Sequence, residues 1–130
     1  MRRGSGKNVA TQSQTCHRIG GGGESNLKLR PAEEQLKPPG ISVLIGGTAE
    51  QAAGDFRRVF GAHSSLGKKA RVVGTADLDK IRETGFDVLD DPTSNFPNHG
   101  RLIHPAQGAA GFNEENLKRL ARVFTNKTGL

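Results

Sequence analysis

The sharpest apolar run in the chain is Ile41-Ser42-Val43-Leu44-Ile45, short, β-branched and closed by Gly46-Gly47, and it predicts a strand. Behind it the period lengthens. Ala52, Phe56, Val59 and Phe60 recur at helical spacing up to Gly61, and Thr48 with Gln51 three residues on has the form of a capping box. Ala70 to Val73 predicts a second short strand. Thr75 is placed to cap a second helix that turns Leu78 and Ile81 inward and ends at Gly85. Phe86 to Leu89 and Arg101 to His104 read as two more strands, stopped by Pro92 and Pro105. The last helix opens at Asn113, carries Glu114 and Glu115 in its first turn, and stripes Leu117, Leu120, Ala121 and Phe124 along one side. The order β-α-β-α-β-β-α predicts a small single domain of the α/β or α+β class, with a three- or four-stranded mixed sheet and helices packed on it.

Composition divides the chain. Residues 1–40 are rich in Gly, Ser, Gln, Lys and Pro, include four consecutive glycines from Gly20, and close on Pro38-Pro39. Such a stretch buries too little apolar surface to offset its ordering entropy, so a flexible basic arm or linker over 1–40 and a compact domain over 41–130 are expected. Only Asn26 to Leu36, with Leu27 and Leu29, has the apolar content to dock on that domain. The net charge is +6, of which +4 falls on residues 1–40, leaving the expected domain mildly basic. A basic arm adds salt-dependent attraction to phosphate. With no Trp, no Tyr and six Phe mostly at core-like positions, no stacking platform for single strands is evident. The single cysteine, Cys16, excludes an intrachain disulfide; it is expected to be a free tail thiol in a reducing compartment. No apolar h-region follows the N-terminal charges, and no window approaches the roughly 18 apolar residues of a membrane span. A cytoplasmic protein without membrane contact is expected, with secretion as an effector left open.

Reactive residues concentrate between Phe86 and Phe112. Alternation along the second strand there puts His99, Arg101 and Ile103 on one face and Leu102 with His104 on the other. His104 joins the first pair only if the chain bends at Pro105. Three readings suit the cluster. Metal-independent RNA cleavage would use His99 as base, Arg101 for phosphate and His104 as acid or second imidazole. Asp90, Asp91, His99 and His104 could instead hold a divalent ion, although their spacing matches no standard ligand pattern. In the third reading the aspartates shape a turn before Pro92, Arg101 pairs with an acid, and His104 bonds in the core. Gly46, Gly47 and Thr48 form either a phosphate cradle at a helix N-terminus or a tight turn, the turn being favoured because GxGxxG is absent. Gly4-Ser5-Gly6-Lys7 fails as a phosphate loop because Asn8 replaces the hydroxyl residue.

The sequence leads to the expectation of a nucleic-acid-directed protein, a metal-independent ribonuclease with catalytic His99, Arg101 and His104, no cofactor and no bound metal. RNA is the expected partner. The alternative is a non-enzymatic interaction or adaptor domain that captures a protein through its arm. A Gly/Pro-rich arm followed by a small basic domain resembles in layout the separable C-terminal toxin modules of bacterial secretion systems.

Overall fold

The computed structural model describes residues 14–130. Six strands form one open sheet: β1 Thr15–Ile19, β2 Gly40–Ile45, β3 Val73–Asp77, β4 Asp87–Asp90, β5 His99–Ile103 and β6 Thr125–Lys127. Their order across the sheet is β4-β5-β2-β1-β3-β6, and every neighbouring pair is antiparallel. The helices are α1 Glu24–Leu27, α2 Pro31–Glu34, α3 Ala49–Phe60, α4 Leu78–Glu83 and α5 Glu114–Ala121, with 3-10 turns at Gly67–Arg71 and Gly108–Gly111. The class is therefore mixed α+β. The expected three- or four-stranded mixed sheet is corrected to six antiparallel strands, because β1 and β6 lie in segments too polar to read as strands.

The largest correction concerns the arm. From Gln14 onward the segment expected to be a linker belongs to the fold, and β1 is a central strand, flanked by β2 and β3. Cys16 and Leu27 are fully buried. Cys16 is consequently no tail thiol: burial pushes it up to about 12, against a smaller opposing pull from Arg18. The part of the expected arm before Gln14 lies outside the described residues.

Both faces of the sheet are covered. On one, Cys16, Ile41, Val43, Ile45, Val88 and Leu102 pack with Leu27 of α1, Leu78 and Ile81 of α4, and Leu117 and Leu120 of α5. On the other, Leu44 and Val73 pack with Ala49, Ala52 and Ala53 of α3 and with Ala70. Small residues on α3 let it lie close to the sheet, and its aromatic residues, Phe56 and Phe60, continue beyond the alanines. The expected caps form: Thr48 Oγ1 accepts from the Gln51 N–H at 3.1 Å, Gln51 Oε1 accepts from the Thr48 N–H at 2.9 Å, and Asn113 Oδ1 accepts from the Asn116 N–H at 2.9 Å. Thr75, expected to cap α4, is instead within β3, and Asp77 is the N-cap. Among the described residues, no helix is long and apolar enough to cross a membrane.

A buried histidine ties β1 to the turn before α3. His17 is fully buried; its Nε2 lies 3.1 Å from both Gly46 O and Gly47 O, and its Nδ1 lies 2.9 Å from Thr75 Oγ1. Two carbonyls at Nε2 require the proton there, so Nδ1 accepts from the Thr75 hydroxyl. Gly46 and Gly47 have φ of 85° and 74°, which glycine alone adopts without strain. With its carbonyls on His17 and its far side closed by Gln51, this segment is a tight turn. Burial lowers the His17 pKa, against the raising effect of the Gly47 and Gly46 carbonyls. A folded-state pKa below the unfolded value of about 6.5 means that protonation favours unfolding. His17 therefore supports the fold fully above pH ~6.5, and that support is lost as pH falls through the folded value. Thermal midpoints measured from pH 7.5 to 4.5 should fall on the acid side, and His17→Gln should flatten that part of the curve while lowering the plateau. A variant that keeps the full acid slope would refute the assignment.

Candidate functional site

A cleft of about 940 Å³ opens where the sheet parts. β1 pairs with β3 along its whole length but with β2 only at Cys16–Ile45 and His17–Leu44. Past His17 the strands separate, and the Arg18 side chain bridges the opening, donating from Nε to Asn26 O and from Nη1 to Ser42 O, both at 2.8 Å. Burial lowers the Arg18 pKa, with Glu33 acting in the opposite direction.

Among the described residues, five cations line this cleft, Arg18, Arg30, Lys68, Lys69 and Arg71, and no aspartate or glutamate does. Three of them come from the 3-10 turn after α3. A Cβ at Gly67 would stand 1.8 Å from Gly61 O, so only glycine lets this turn pack against the end of α3. Arg57 secures the same turn, donating from Nη2 to Ala70 O at 3.3 Å and also to Leu130 O. Aromatic rings share the lining. Phe56 and Phe60 of α3 meet Phe96 of the 91–98 loop, with ring centroids 4.7 to 6.2 Å apart. Phe60 is 37 % exposed. Phenylalanines that read as core positions in the sequence thus line an accessible surface. At about 940 Å³ the cleft is at the upper end of the ~300–1,000 Å³ common for ligand sites.

His99 stands at the start of β5 and also lines the cleft. Its Nδ1 donates to Asp91 O at 2.7 Å, which puts a proton on Nδ1 and makes Nε2 the nitrogen left to accept one. Asp91 Oδ2 lies 3.6 Å from the same Nδ1 and accepts from Arg101 Nη2 at 3.0 Å. Arg101 Nη1 donates to Pro38 O at 3.0 Å. The loop carrying Phe96 is itself fastened: Thr93 and Phe96 bond each other across a turn, and Asn98 Nδ2 donates to Ile45 O at 3.2 Å. The ring is thereby held against a braced frame.

The structure brings His99 and Arg101 together through Asp91, as same-face residues of β5. It does not bring His104 to them. β5 keeps regular pairing with β2 through Ile103, so His104 continues to the opposite face. There it is 8 % exposed, its ring edge-on to Phe86 at 4.8 Å, and its Nδ1 accepts from the Gln107 N–H at 3.1 Å. The Pro105 bend needed to join the three residues is absent. Arg101 also differs from its expected role as a phosphate ligand, because its guanidinium is engaged by Asp91 and Pro38 and does not line the cleft. Among the described residues, no three His, Cys, Asp or Glu side chains gather as a metal site.

Arg18, the lysine turn and the aromatic wall were missed by reading the sequence. One signal was available: Thr15-Cys16-His17-Arg18-Ile19 runs into Gly20 just as Ile41 to Ile45 runs into Gly46. No family model, curated protein or solved structure matches this chain, so the cleft itself carries the functional reading.

Proposed function

We propose that this protein is directed at nucleic acid and that its cleft holds single-stranded RNA, with His99 as the general base of a metal-independent cleavage. One observation carries the reading: among the described residues, five cations and three phenylalanines line a cleft to which no aspartate or glutamate contributes. Cations answer the phosphates, while aromatic rings offer stacking surface to bases. A carboxylate-lined cleft would repel the same ligand.

In the proposed reaction, Nε2 of His99 takes the proton of a ribose 2′-hydroxyl as that oxygen attacks the adjacent phosphorus. The new O–P bond gives a 2′,3′-cyclic phosphate, and the P–O bond to the 5′-oxygen breaks. That oxygen takes its proton back from the imidazolium, directly or through a water. The cleft cations stabilise the charge that builds on phosphorus-bound oxygens. Arg101 and Asp91 are positioning residues here, holding the ring, and His104 supports the opposite core.

Binding tests the first half of the proposal. A fluorescent single-stranded RNA about ten nucleotides long should bind with log K falling as salt rises, by roughly 0.7 per phosphate engaged. Replacing Lys68, Lys69 and Arg71 by Gln should weaken binding and flatten that slope. Phe60→Ala should weaken it by roughly 1–3 kcal/mol with the slope unchanged. If the triple variant binds RNA as tightly as the parent, at the same salt slope, the cleft is not the site.

A further inference from the structure

Four of the five cleft cations are exposed; Arg18 is only 6 % exposed. Both of its hydrogen bonds go to neutral carbonyls, those of Asn26 and Ser42. Among the described residues no carboxylate forms an ion pair with it. Buried charges are ordinarily paired, because an uncompensated ion loses hydration that nothing replaces. Glu33 acts on it only from beyond ion-pair distance, with the like charge of Arg30 acting the other way, so the groups in direct contact orient the charge without neutralising it.

That orientation is built. Asn26 Nδ2 donates to Ile19 O at 3.0 Å and to Gly21 O at 2.7 Å, so the carbonyl that receives Arg18 Nε belongs to a braced turn. Ser42 is anchored in β2 by its pairing with Arg101 of β5. A guanidinium has five N–H donors in a planar fork; two are used here, and the remaining three suit an oxyanion bound through two parallel bonds.

We propose that Arg18 is an anion seat, at which a phosphate group of the bound nucleotide or RNA supplies the direct ion pair that Arg18 lacks between β1 and β2. The nucleotide character of the ligand rests on the RNA reading above; the seat itself rests on Arg18 and its two carbonyls. A terminal phosphate and a phosphodiester share the same oxyanion chemistry, and the probes below separate them.

The test follows the Arg18 Nε–H resonance of the full chain by NMR. Three probes are titrated: inorganic phosphate, a single-stranded RNA of roughly ten nucleotides with a 5′-hydroxyl, and the same RNA with a 5′-phosphate. The expected result is a saturable shift of that resonance, with affinity for the responding probe reduced at least about tenfold in Arg18→Gln. A response confined to inorganic phosphate and the 5′-phosphorylated RNA supports a terminal phosphate; equal response to both RNAs supports a phosphodiester. An Arg18 resonance that stays fixed under all three probes overturns the proposal. If Arg18→Gln loses its circular dichroism signature, the parent-chain titration decides alone. RNA that binds and moves Arg18 but is never cut would sink the nuclease reading and leave the seat standing.

Discussion

A chain beginning at Gly40 is expected not to fold. Removing what precedes β2 deletes β1, which separates the β4-β5-β2 half of the sheet from the β3-β6 half. Five residue pairs with β3 and two with β2 go with it, leaving two new open strand edges facing each other across a gap. Cys16 and Leu27 leave the core, and a buried Leu alone is worth about 1.5–3 kcal/mol. The total stability of a domain is only about 5–15 kcal/mol. Circular dichroism should show the loss of cooperative melting, and the amide NMR spectrum should collapse toward random-coil shifts. A truncated chain that melts cooperatively within a few degrees of the parent would show that β1 is dispensable. The same result bears on the adaptor alternative: partner capture lost on removing residues 1–40 would report unfolding of the sheet, not the departure of a binding arm.

His99→Ala is expected to lower the turnover of RNA cleavage by roughly 10²–10⁴-fold while leaving RNA binding within about twofold, the range for loss of a positioned general base. The side chain is 16 % exposed and lines the cleft, so its removal leaves the two packed cores intact. Free imidazole should restore part of the lost turnover in this variant, which a merely structural histidine would not allow. Asp91→Asn should keep the main-chain carbonyl that receives Nδ1 but lose the ion pair to Arg101 at 3.0 Å. Its expected signature is a smaller fall, about tenfold and mainly in kcat, because orientation is loosened while the base remains. Full cleavage by His99→Ala, across a pH series and with RNA bound, would remove His99 from the chemistry.

The legible part of the fold is the local part. α3 and α5 announce themselves because their caps and apolar periods lie within one helix, and β2, β4 and β5 because their apolar runs end at Gly or Pro. β1 is illegible for the opposite reason. His17 and Arg18 look like surface residues and are buried only because Thr75, Gly46, Gly47, Asn26 and Ser42 arrive from elsewhere with matching polar atoms. β3 is misread at Thr75 to Asp77, since Thr and Asp are good cap residues and the ladders that hold them as a strand come from β1 and β6. Of the site, strand alternation alone pairs His99 with Arg101 and sets His104 apart. Arg18, Lys68 and Phe96 lie on three separate segments, and no sequence spacing links them.

The way the sheet is wired gives the cleft a history. Among the described strands only β4 and β5 pair as a hairpin; Cys16 must find Ala76, Ile41 must find Leu102, and Val73 must find Lys127. Pairings this distant close large loops before any ladder rewards them, which places folding in the millisecond-to-second range of β-rich topologies. Asp91 and His99 sit within the hairpin and can meet early. Arg18 reaches its Ser42 carbonyl only when β1 has settled beside β2, so the Arg18 end of the cleft waits on that pairing, whereas the lysine turn is set by its packing on α3.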